Sequence, residues 1–362
     1  MSKSRFLTTL SLLAAAVLGL VASLPAMGDE PLKVGFLYVS PVSDAGWTHQ
    51  HEVGRQQLQK ALDGKVQTKY VENVPEGGEA ERVIRQFASD GYGLIFTTSF
   101  GYMNPTIKVA KQFPNVVFEH ATGYKSAKNV GTYSARFYQA RYLTGIVAGR
   151  MTKSNIAGYV AAFPIPEVLR GIDAFTLGMR SVNPKAQVKV IWTSSWFDPG
   201  RESEAANVLI SQGADVLTHH TDSTAVVQTA EDKGVWSVAY HSDMSKYGPK
   251  TQLTAATHHW GDFYIKIAKE VLNGNWKSEN VWGGLKEGMV DIAPLNPAVP
   301  DSVAKEVQAK KQAIIDGSFH PFQGPIKNQD GEIVVPEGKS LTDEELEKVQ
   351  WYVEGVVGKL PK

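Results

Sequence analysis

From Lys33 onward the chain repeats one pattern, a short run of β-branched or aromatic residues followed by a longer amphipathic stretch. Short apolar runs read as strands buried on both faces, and the stretches between them as crossover helices, which is the alternation of a parallel sheet. "KVGFLYV", "VQTKYVE", "GLIFTT" and "NVVFEHA" form a first series, with "HQHEVGRQQLQKAL" and "EAERVIRQFASD" as helices. After the helix-like "YQARYLTGIVAGRMT" a second series begins: "IAGYVAAF", "VKVIWTS", "ADVLTHH", "WSVAYH" and "QLTAATHH". Two consecutive series predict an α/β fold of two doubly wound parallel-sheet lobes, residues 29–150 and 151–274, with the tail from about 275 to 362 returning to the first lobe. With no Pro/Gly/Ser-rich tether between the halves, several short crossovers are expected to form the hinge. A chain of 362 residues, 43% of them hydrophobic, is long enough for two cores.

The first 28 residues carry Lys3 and Arg5, then an apolar run, then Pro25 and small residues around Ala26 and Gly28. This reads as a cleaved secretory signal rather than a membrane anchor, because no basic stop-transfer flank follows. Cysteine is absent, which removes both a disulfide framework and a thiol for lipid attachment. A periplasmic location is the resulting expectation. Basic and acidic residues balance at 37 each, so no charge excess recruits nucleic acid or an anionic membrane.

Open parallel sheets bind ligands outside the carboxyl ends of their strands. That rule selects residues 40–49, 98–102, 193–201, 219–224, 241–247 and 257–262. The first of these loops holds Asp44, Gly46, Trp47 and Thr48, and the third holds Trp196, Phe197, Asp198 and Arg201. One tryptophan on each lobe could sandwich a flat ring, each face contributing about 1–3 kcal/mol by analogy with base stacking. Two ordinary core tryptophans are the alternative. Ser99 with Phe100, Asp222, His241 with Asp243, and His258 are the remaining candidates for reading a ligand's edge. Asp44 and Asp222 also stand where a helix N-cap is expected.

Seven of the nine histidines fall in or beside these loops. A tetrahedral metal site is disfavoured all the same, because neighbouring histidines on a strand point to opposite faces. Hydrogen bonding is the better use for them, and neither metal nor cofactor is expected. Nucleophile elbow, P-loop, dinucleotide fingerprint and HExxH are all missing, so a metal-dependent periplasmic hydrolase is the lesser reading.

Four segments in order, "SDAGWTHQ", "SSWFDPGRESEAA", "QGADVL" and "VAYHSDM", make the chain resemble the basic membrane protein family of substrate-binding proteins, which includes purine nucleoside receptors of ABC transporters. The resemblance runs from about Lys33 to about Gly317. It implies a type I periplasmic-binding-protein fold whose cleft closes over a purine stacked between two aromatics, here Trp47 and Trp196. It also implies a monomer that delivers its ligand to an inner-membrane ABC permease. Nucleoside-binding members carry an acid where this chain has His241 and a lysine near His258. Both suit ribose hydroxyls, so their replacement by imidazoles favours a free base such as adenine over a nucleoside. A sugar-binding protein of the same fold is the alternative within the class.

Overall fold

The computed structural model describes residues 30–361. The expected signal, 1–28, lies outside the described residues. Five strands build most of the first sheet: β1 (Leu32–Leu37), β2 (Val66–Val71), β3 (Leu94–Thr97), β4 (Val117–Ala121) and β5 (Val130–Ala135). Helices α1 (Trp47–Ala61), α2 (Gly78–Ser89) and α3 (Met103–Ala110) lie between them, and α4 (Phe137–Met151) follows. The second sheet is laid down by β6 (Ile156–Ala161), β7 (Gln187–Trp192), β8 (Val216–His220), β9 (Trp236–His241) and β10 (Gln252–His258). Its helices are α5 (Pro166–Val182), α6 (Pro199–Ser211) and α7 (Ala225–Lys233). The chain ends with α8 (Gly261–Leu272), β11 (Asn280–Gly283), β12 (Val290–Ile292), α9 (Asp301–Ile315), the hairpin β13 (Ile326–Lys327) and β14 (Ile333–Val335), α10 (Asp343–Leu346) and β15 (Val356–Val357).

Both sheets are doubly wound, in the orders β11-β5-β4-β3-β1-β2 and β12-β10-β9-β8-β6-β7-β15. Every pairing is parallel except β12 on β10. Burial on both faces explains the apolar runs of the central strands. On β1, Val34 and Phe36 face one core while Leu37 faces the other, beneath α2 and α3. On β8, Val216 and Leu217 divide in the same way. Helix α2 covers its face with Ala80, Val83, Ile84 and Phe87, the spacing of one helical stripe.

Several expectations about the layout of the lobes need correction. The first sheet does not stop at β4, since β5 and β11 extend it. Helix α4, placed by sequence at the end of the first lobe, packs on α5, β10, β12 and α9 in the second. Helix α8, which the sequence placed at the end of the second lobe, packs on α1 in the first, and in the tail it is β11 that joins the first sheet. The remainder adds β12 and β15 to the second sheet. The chain thus crosses between lobes three times, at Ala135–Phe137, His258–Gly261 and Gly283–Val290.

The reason for the α4 placement is its apolar surface. Nearly every residue from Phe137 to Gly149 is buried, so the helix needs neighbours on all sides. Gly145 and Gly178 let it approach α5 so closely that a Cβ on either would collide with a backbone carbonyl, of Phe175 and Tyr142 respectively. Gly178→Ala should therefore force the two helices apart and cost about 1–3 kcal/mol, read as a lower urea midpoint at an unchanged slope.

Candidate functional site

A cleft of about 400 Å³ lies between the carboxyl ends of the two sheets. The first lobe lines it with Val39, Trp47, Ser99, Phe100 and Thr122, and the second with Ile165, Glu167, Trp196, His220, Thr221, Asp222 and His241. Three of these walls rest on backbone that side chains seldom adopt: Thr122 (φ 62), His241 (φ 73) and Ser194 (φ 53), two residues before Trp196. A β-branched residue with positive φ is an outlier that surrounding structure must hold in place, and such residues gather at functional sites.

Trp47 opens α1 and donates its indole N–H to the Thr98 carbonyl at 2.7 Å. Its ring abuts His51, His241 and His258, with centroids 4.6, 5.5 and 5.1 Å away. Opposite it, Trp196 donates across the cleft to Glu76 at 3.2 Å. The same carboxylate accepts from the Ser99 hydroxyl at 2.6 Å and the Gly101 N–H at 2.9 Å. Ser99 therefore lines the cleft with its proton already given to Glu76.

The lobes are clasped by hydrogen bonds that run between them. Asp222, from the loop after β8, accepts from the backbone N–H groups of Trp47 and Thr48 and from the Ser40 hydroxyl. A carboxylate of the second lobe thus caps the first turn of a helix in the first, where unsatisfied N–H groups and the helix dipole favour negative charge. Burial pushes the Asp222 carboxyl up to about 7, against the pull of these hydrogen bonds. Gly46 makes the approach possible: it has φ 103, and a Cβ there would strike Asp222. Beside it, the Ser242 hydroxyl accepts from the Gly46 N–H at 2.8 Å and from Gln50 at 3.1 Å.

Six of the ten predicted ligand residues meet at the cleft: Trp47, Ser99, Phe100, Trp196, Asp222 and His241. The other four are placed elsewhere. Asp44 is exposed and pairs with Lys246 at 2.8 Å on the outside of the clasp, not as a helix cap. Asp222 leaves its own helix α7, whose Ala225 N–H goes to Ser223 instead. The Thr48 hydroxyl is shared with Ser40 at 2.6 Å, and Asp243 accepts from Ser245 and Gln252 at 2.9 and 2.7 Å. His258 lies behind His241, ring nitrogen to ring nitrogen at 3.1 Å. Not singled out by sequence were Val39, His220 and Thr221, the last two inside the selected loop 219–224, and Thr122, Ile165 and Glu167; the Nε2 of His220 lies 3.5 Å from Glu167. The carboxyl-end rule applied to β4 and β6 reaches Thr122, Ile165 and Glu167. Glu76 follows β2 and carried no signal of its own.

Two α/β lobes clasped over a narrow cleft define a bilobed ligand-binding protein. The chain belongs to the PnrA-like family of ABC transporter substrate-binding proteins, whose family model matches residues 32–321. It is 51% identical over 348 residues to a purine-binding protein of Brucella abortus, spanning 96% of this chain and 99% of that one. It is 38% identical over 333 residues to a putative ABC transporter glucose-binding protein of Haloferax volcanii, spanning 92% and 82% respectively. An ABC transporter solute-binding protein of Aeropyrum pernix shares the fold with a TM-score of 0.70 at 20% identity, over 88% of this chain and 96% of that one. Among the described residues no helix is long and apolar enough to cross a membrane.

Asp222→Asn keeps the shape of the clasp but cannot accept from all three donors, and should weaken ligand-driven closure by about 1–3 kcal/mol in calorimetry. Gly46→Ala should cost at least as much. The pH dependence has a definite sign. The folded chain holds the Asp222 proton up to about pH 7, whereas an unfolded aspartate releases it near about 4. As pH falls through that window the wild type should gain stability relative to Asp222→Asn, by at most about 1.4 kcal/mol per pH unit. Urea unfolding of both proteins at the two ends of the window measures it.

Proposed function

We propose that the protein captures a purine between Trp47 and Trp196 and delivers it to the permease of an ABC importer. The observation that carries this reading is the pair of tryptophans on opposite lobes lining one narrow cleft, whose apolar walls suit a flat ring and whose few polar groups can read its edge. Stacking holds the ring, His241 and His220 address its rim, and closing buries both faces. The 51% identity to a protein named as purine-binding supports the ligand class. Export to the periplasm through the N-terminal segment, action as a monomer, and the absence of any covalent step belong to the same proposal.

A free base is favoured over a nucleoside by the imidazole of His241 at the cleft, with that of His258 behind it. A second reading has its own support. A further cavity of about 510 Å³ adjoins the cleft through Phe100, Thr122 and Glu167, and it is lined by Ser134, Arg170, Asn280 and Trp282. Such a polar annex suits a ribosyl group. The relative named as glucose-binding keeps a sugar as the competing ligand.

Protein purified without refolding and then denatured should release a compound with purine absorbance. Titration with adenine, hypoxanthine, guanine, their nucleosides and glucose should rank a base first; a nucleoside ranking first selects the annex reading, and glucose alone overturns the purine. Trp47→Ala and Trp196→Ala should each weaken binding by about 1–3 kcal/mol.

A further inference from the structure

His241 ends β9 and His258 ends the adjacent strand β10. The Nδ1 of His241 and the Nε2 of His258 share one hydrogen bond at 3.1 Å. The two outer nitrogens of the pair differ. The His241 ring lines the cleft, and its Nε2 has no protein partner among the described residues and is not sealed from solvent. The Nδ1 of His258 is sealed with no partner, among the rings of Trp47, Trp260 and Phe137, whose centroids lie 5.1, 5.1 and 5.4 Å away. Burial first, then the neighbouring imidazoles, hold both histidines well below the usual imidazole range. Each is neutral and has one donor and one acceptor.

Only two proton arrangements are then open to the pair. If His258 donates from Nε2, His241 carries its own proton on Nε2 and shows the cleft a donor. If His241 donates from Nδ1, it shows the cleft an acceptor, and the His258 proton moves to Nδ1, where it meets aromatic walls and no acceptor. The first arrangement leaves an unused lone pair, the second an orphaned buried N–H, which folded proteins rarely tolerate. His219 illustrates the ordinary solution: its Nδ1 lies 3.1 Å from the Thr221 carbonyl and its Nε2 accepts from the Tyr240 N–H at 3.3 Å, so its tautomer is decided on both sides.

We propose that His258, without reaching the ligand, is a positioning residue that fixes His241 as a hydrogen-bond donor to the cleft, so that the site selects a 6-oxopurine over adenine. This rests on the purine reading. The two classes differ at position 6, where one carries a carbonyl acceptor and the other an amine donor. Adenine meets a donor only by turning a ring nitrogen toward it. The choice of adenine suggested by sequence is thereby reversed.

Calorimetry with hypoxanthine and adenine on the full chain, paired with 15N spectra of labelled histidine in the ligand-free protein, tests this. Hypoxanthine should bind the wild type about tenfold more tightly than adenine, and the His241 proton should reside on Nε2. His258→Gln, whose amide offers a donor near the former Nε2, should keep the preference. His258→Leu should reduce it to about twofold or less, because His241 is then free to take either tautomer. A His241 proton on Nδ1 in the wild type overturns the proposal, as does a preference unchanged in His258→Leu. Should the leucine variant not fold, the wild-type spectrum alone decides. If neither base binds the wild type, the purine reading itself falls, and the spectrum still decides the tautomer.

Discussion

At the centre of the contacts between the two lobes stands one buried carboxyl group. Asp222 is almost wholly removed from water, and a polar group in that position is tolerable only when hydrogen-bonded. Its donors are the first N–H groups of α1 and the Ser40 hydroxyl, all on the other lobe. The group is therefore satisfied in the closed arrangement and must find water when the lobes part. Around it the backbone is shaped to fit: Gly46 supplies the positive φ and the missing Cβ, and Ser242 takes up the neighbouring N–H. The outer pair of Asp44 and Lys246 stands in water, where screening and side-chain entropy leave an ion pair little to contribute. Closure thus depends on the buried contact, and the exposed one marks only its edge.

The same contact sets the walls of the cleft. Trp47 is the first residue of the helix that Asp222 caps, and the Asp222 N–H is bonded to the Trp196 carbonyl at 2.8 Å. Moving Asp222 therefore moves both tryptophans. Behind His241 the packing is aromatic and weakly polar. Tyr240 lies over the Arg141 guanidinium at 3.5 Å, whose N–H groups go to the Thr218 hydroxyl and the His219 carbonyl. This buried cation helps keep the nearby imidazoles neutral. A floor of neutral imidazoles suits an uncharged heterocycle better than an anion.

Much of this was legible along the chain. The strands of both series fall where short runs between turn signals put them, most plainly the central ones, where burial on both faces leaves a mark along the whole run. Trp47 and Trp196 could be singled out as loop residues outside any strand alternation. The lobe boundary was less accessible. "YQARYLTGIVAGRMT" announces a helix buried on all sides, yet nothing local says whose core buries it. The tail was misread for a similar reason, since β12 and β15 are three and two residues long and too short to show a period.

Sequence alone determined the two α/β series, the loops that gather at the strand ends and the aromatic residue each lobe presents, because these follow from periodicities of a few residues. Only the tertiary structure decided the use of each polar side chain. Asp44 and Asp222 look alike in sequence, each an acid just ahead of a helix. One ends in solvent, and the other caps a helix that begins 175 positions away from it in the chain. His241 and His258 likewise look alike in sequence, each the last residue of its strand, yet it is His241 that lines the cleft and His258 that lies behind it. Partner choice for a hydrogen bond depends on atoms brought within about 3 Å by folding, and no local pattern encodes that distance.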